Sequence, residues 1–137
     1  MKNGPTATHF LNVDLDIHSK DDLQPLAQAF GKKVDVLWVG RAKRTHYAHF
    51  ELASRSTTPD NTIRALCRLI NALPKAERGL WNAAKRRDFS VGVQSVAGSP
   101  VIDFAIKPEI LRLASDLGAR IVFTVYSPNR PNDERSE

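Results

Sequence analysis

The chain has 137 residues, a single cysteine, and twenty Lys and Arg against fifteen Asp and Glu. That length suits one domain able to bury its own core, and one cysteine excludes an internal disulfide. The net charge of +5 favours acidic partners through long-range attraction, and without an apolar N-terminal segment or a long apolar run the expectation is a cytoplasmic protein with no membrane segment.

Residues 1–7 lack periodicity and are expected to be a flexible N-terminus. Residues 8–126 carry the pattern of a single α/β domain, and 127–137 have the polar, charged, proline-bearing composition of a disordered tail. Within the domain, HFLNVDLDI alternates as a half-buried strand does: Leu11, Val13, Leu15 and Ile17 share one face, Asn12, Asp14 and Asp16 the other. A helix over about 21–30 follows, with Ser19, Asp21 and Asp22 as N-cap candidates, Ser19 and Asp22 spaced as a capping box, and Gly31 as its stop.

The segments 34–40 and 45–52 predict a hairpin across the basic turn GRAKR. A second helix opens at Thr58-Pro59-Asp60, with Ile63, Leu66, Cys67, Ile70 and Leu73 as its apolar stripe. Pro74 breaks it, and a shorter helix carries Trp81. The segments 89–96 and 101–106 predict a second hairpin across AGSP. Pro108 opens the last helix, Gly118 closes it, and IVFTVY (121–126) is the final strand.

The order β-α-β-β-α-(α)-β-β-α-β predicts an α/β fold of α+β type. The expected architecture is a two-layer sandwich, a mixed sheet of about six strands with helices on one face. An internal echo, VDLDI with IDFAI and LAQAFGKKVDVLWV with LASDLGARIVFTVY, suggests a duplicated β-α-β unit.

Chemistry is harder to find. No G-x-S-x-G, P-loop, G-x-G-x-x-G, H-E-x-x-H or C-x-x-C motif occurs, and no cofactor is expected. Asp14 and Asp16 project from one strand face roughly 6–7 Å apart. His49 falls on the outward face of its strand with Tyr47 and Glu51, so a neighbouring first strand would give Asp14, Asp16 and His49 as a metal or acid/base cluster. A solvated strand face is the simpler reading of the two aspartates. Cys67, on an apolar stripe, reads as a small core residue.

Two surfaces invite partners. Arg41, Lys43 and Arg44 in the hairpin turn, Arg64 and Arg68 on the second helix, and Lys85, Arg86 and Arg87 before the fourth strand are the nucleic-acid candidates. Asp14, Asp16, Asp35, Glu51 and Asp103 mark the open sheet face as acidic, which confines that reading to helices and turns. If Asp35 points outward, so do Leu37 and Val39, joined by Tyr47 and Tyr126 in an apolar band suited to a protein contact. The leading expectation is therefore a non-enzymatic protein-binding or self-associating module of adaptor or toxin-neutralising type. Nucleic-acid binding and acid/base or metal-dependent catalysis are the alternatives.

Taken together, FLNVDLDIHSKDDLQPLAQAFG, the GLWNAA stretch and GARIVFTVYSP resemble a group of small bacterial proteins of unknown function. The resemblance spans nearly the whole ordered domain and implies a stand-alone bacterial domain. It brings no activity and no site residues with it.

Overall fold

The computed structural model describes residues 6–128; most of the expected flexible N-terminus and C-terminal tail lies outside them. In chain order the elements are β1 (His9–Ser19), α1 (Gln24–Phe30), a single 3-10 turn (Gly31–Lys33), β2 (Val34–Ala42), β3 (Thr45–Leu52), α2 (Pro59–Asn71), α3 (Lys75–Ala83), β4 (Arg86–Gln94), α4 (Pro108–Asp116) and β5 (Arg120–Tyr126). The strands form one sheet in the order β2-β3-β1-β4-β5. Every neighbouring pair is antiparallel except β4 and β5, which α4 joins as parallel strands.

Alternation decides which side of this sheet is dry. Val13, Leu15 and Ile17 of β1, Ala48, Phe50 and Leu52 of β3, and Phe89, Val91 and Val93 of β4 are all buried. They form one cluster with Leu26 and Phe30 of α1, Ile63, Leu66 and Ile70 of α2, Trp81 of α3 and Ile110 of α4. A two-layer α+β sandwich results, with helices against the inner face and Asn12, Asp14, Asp16 and His18 of β1 on the open one.

Local signals place the helices. The Thr58 Oγ1 accepts the Asn61 N–H at 3.2 Å and Pro59 occupies the first turn of α2, where its missing N–H costs nothing. At α1 the capping box does not close. Ser19 Oγ accepts the Asp21 N–H and Asp22 Oδ1 accepts the Gln24 N–H, two successive side-chain turns that carry the chain to a late start at Gln24. Arg87 staples the lower layer: its guanidinium donates to the carbonyls of Trp81, Asn82 and Gly118 and lies over the Trp81 ring.

The structure corrects the sequence reading at several places. Among the described residues the sheet has five strands, not about six. Residues 101–106 form no strand, because β5 takes the β4 edge that a hairpin would have used; Phe104 and Ile106 instead pack against the core in extended chain. The internal echo survives as helix–Gly–strand only. Gly31 and Gly118 both end their helices at positive φ, 59° and 73°, but the first strand of the second unit is β4 rather than IDFAI.

Two further corrections are bulges. A register shift between Phe10 and Asn12 turns Phe10 toward the core and leaves Leu11 40 % exposed on the open side, where burial was expected. A second shift, between Val36 and Trp38, resets β2 by one residue at Leu37. Val39, expected outward, therefore pairs with Ala48 and packs against the core, and Trp38 takes the outward position opposite His49. Asp103 lies outside the sheet altogether.

Candidate functional site on the open sheet face

Strand order brings outward residues of neighbouring strands into rows. One row runs Gly40, Tyr47, His18, Arg86 across β2, β3, β1 and β4; the next runs Trp38, His49, Asp16, Asp88 and Arg120 across all five strands. Because β1 and β3 are neighbours, Asp16 and His49 do meet. The carboxylate Oδ1 lies 2.6 Å from His49 Nδ1, and its Oδ2 accepts the Ser90 hydroxyl at 2.9 Å.

The order of these contacts limits their chemistry. Asp16 sits between Ser90 and His49, so the hydroxyl donates to a carboxylate and not to the imidazole. Nothing here activates Ser90 as a nucleophile, since that requires direct contact with a base. With Nδ1 held by Asp16, the remaining Nε2 of His49 is the atom able to exchange a proton or accept a hydrogen bond.

Asp14, the third member of the expected cluster, does not join. It lies one row away, opposite Ser90, beside a cavity of about 190 Å³ whose other walls include Asn12, Glu51, Gly92 and Tyr126. Burial, then the negative charges of Asp16 and Glu51, push its carboxyl up to about 6. Among the described residues no group of three or more His, Cys, Asp and Glu side chains is placed to hold a metal ion. Asp14, Asp16 and His49 are thus a hydrogen-bonded pair with an adjacent carboxyl.

The end of the sheet at Ser19 is basic. The two-residue turn between β2 and β3 presents Lys43 and Arg44, with Arg41 just before it, and β4 enters beside it through Lys85 and Arg86. His18, Thr45, Tyr47, Lys85 and Arg86 line one pocket of about 270 Å³. The His18 imidazole is held below its usual range by burial first, and then by the neighbouring Arg86 and His49 side chains. Beside the pocket, aromatic rings are in series: His18 meets Tyr47 edge-on at 4.6 Å, and Trp38 lies 5.9 Å from Tyr47 and 6.1 Å from His49. Gly40 makes room for this, since a Cβ there would meet the Trp38 ring at 2.9 Å.

Three of the expected cationic candidates belong elsewhere. Arg64 is paired with Glu109 and bonded to Asn61, and Arg87 is committed to three backbone carbonyls, so neither guanidinium is presented to a ligand. Arg68, on α2, is in the helical layer, away from the turn. Cys67 is buried, and burial pushes its thiol up to about 11. Trp38 was missed by sequence reasoning because the Leu37 bulge that exposes it exists only in the paired strand; a glycine two residues on was its one trace.

Of the expected partner residues, Tyr47 and Tyr126 lie on the open face, Leu37 is on the bulge, and Val39 faces inward. Both edge strands carry exposed apolar groups: Val36, Leu37 and Trp38 on β2, and Phe123, Val125 and Tyr126 on β5. Phe123 and Val125 of β5, on the helix side beyond the reach of α4, are 50 % and 63 % exposed. No family model, curated protein or solved structure matches the chain, and no described helix is long and apolar enough to cross a membrane.

Proposed function

We propose that this protein is a self-associating binding module whose contact is the outer edge of β5 around Phe123, and that the partner is a second copy of the same chain. The observation that carries this reading is the difference between the two edge strands. β2 is broken by the Leu37 bulge, the kind of irregularity that blunts an edge against pairing. β5 keeps unbroken register with β4 over all seven residues, and has no charge from Ile121 to Tyr126.

Its sequence is also self-complementary. Two antiparallel copies of RIVFTVY centred on Phe123 set Ile121 opposite Val125 and Phe123 opposite itself on the helix side. An isologous two-fold contact of this kind closes at the dimer and does not propagate. Light scattering of the purified protein at high micromolar concentration is expected to give twice the mass of one chain, and Phe123→Lys, which places a charge on the axis, is expected to return it to monomer. A monomeric wild type would overturn the reading.

The Asp16–His49 pair supports acid/base chemistry less well. The cavity on that side of the face is lined by Asp14 rather than His49, and at about 190 Å³ it is smaller than the several hundred Å³ usual for a substrate site.

A further inference from the structure

We propose that the basic end of the open sheet face binds single-stranded nucleic acid, with a base stacked on the Trp38–Tyr47 pair and a phosphate in the pocket of His18, Thr45, Tyr47, Lys85 and Arg86. The inference is independent of the β5 contact. It rests on the coincidence, at one end of one face, of cations without ion-pair partners among the described residues and a series of adjacent aromatic rings.

The cations are available. Arg41 has the parity of inward Val39 and faces the helix side; among the described residues Lys43, Arg44, Lys85 and Arg86 have no acidic group within ion-pair distance. They come from two separate stretches of chain that the β3-β1-β4 order brings side by side. Thr45 and Tyr47 add hydroxyl donors to the same pocket. A second pocket adjoins it through Lys85 and Arg86, but its Arg87 and Arg120 are committed to backbone carbonyls and to Asp88, so the available cations end at Arg86.

The aromatics specify a single strand. Every base has a face that can stack on an indole or phenol ring, and only an unpaired base can reach one. Trp38 is 45 % exposed and is laid flat along the sheet by Gly40. The row Gly40–Tyr47–His18–Arg86 spans three strand spacings, about 14 Å, which gives a base and its flanking phosphates separate footholds.

The acidic residues on this face do not oppose binding there. Asp16 is engaged by His49 and Ser90, and Asp88 is bound by both arms of the Arg120 guanidinium. Asp14 and Glu51 stand two rows from the pocket, about 13 Å along the strands, beyond the screening length of roughly 8 Å at physiological salt.

Fluorescence anisotropy of an end-labelled single-stranded RNA of about 12 nucleotides tests this directly. With three phosphates engaged, affinity is expected to fall about twentyfold between about 50 and 200 mM salt. Trp38→Ala should weaken binding about fivefold to a hundredfold through lost stacking, and Lys85→Glu with Arg86→Glu should abolish it at every salt concentration. Arg64→Glu, on the helical layer, should change nothing. No binding at low salt would overturn the proposal, as would affinity untouched by either variant. Equal affinity for a duplex, or for an acidic peptide of the same charge, would also overturn it, because neither uses the stacking surface.

Discussion

Asp14 shows how far one residue's environment departs from its place in a pattern. Outward on a strand, it should be a solvated carboxylate, yet the Asn12–Glu51 hydrogen bond and the walls of the small cavity half-bury it. Its folded value of about 6 against 3.8 for the free side chain means the native state holds a proton that the unfolded chain releases. Stability contributed by that proton is fully present below about pH 4 and is lost as pH rises through about 6. Asp14→Asn is therefore expected to raise the melting temperature at pH 7.5 and leave it unchanged near pH 3.5. The gain, discounted for partial exposure, is on the order of 1 kcal/mol. Equal effects at both pH values would show that the carboxyl titrates normally. The outward position of Asp14 was legible in the alternation of VDLDI. Its burial was not, because the residues that cover it come from β3, β4 and β5.

At the scale of elements, Arg87 connects three of them. Its donors satisfy carbonyls at the end of α3 and at Gly118, between α4 and β5, while its plane covers Trp81, whose indole N–H in turn donates to the Leu117 carbonyl. A guanidinium can serve several acceptors in one plane and an ammonium cannot. Arg87→Lys is expected to lower unfolding free energy by about 1.5–3 kcal/mol in denaturant titration while leaving RNA affinity within about twofold, since it keeps the charge and Arg87 is not presented to the ligand. Loss of binding at unchanged stability would reverse this assignment. In sequence Arg87 belonged to an undivided run of Lys85, Arg86 and Arg87. Strand parity separates them, sending Arg86 outward and Arg87 beneath the sheet, but the three carbonyls that Arg87 serves could be found only in the fold.

For the whole molecule, the two proposed contacts combine geometrically. A two-fold pairing of β5 would make one continuous sheet with both open faces on the same side and a basic end on each protomer. An RNA long enough to span both ends should then bind more tightly than a short one by an avidity factor of about a hundredfold or more. Phe123→Lys is expected to remove that advantage without altering affinity for the short strand, which anisotropy on the two lengths would read. A length-independent affinity in a proven dimer would mean that the two basic ends cannot be bridged.

Some of this protein follows from the sequence by itself. Charge and cysteine count are composition, and the starts of α2 and α4 are set by proline and, for α2, a side-chain cap within four residues. The inner faces of β3, β4 and the second half of β1 follow from a period of two, so Val13, Leu15, Ile17 and Phe50 were readable as core. These features depend on residues close together in the chain. The tertiary structure decided the rest. A bulge is a mismatch between two strands, so neither Leu11 nor Leu37 announces one, and each resets which residues face outward. Whether 101–106 or β5 occupies the β4 edge depends on a competition between hairpin and crossover pairing that local pattern does not rank. Strand order, a sum of long-range pairings, put His18, Thr45, Tyr47, Lys85 and Arg86 in one pocket and Asp16 against His49, although nearly seventy positions of chain separate the farthest of the five pocket residues.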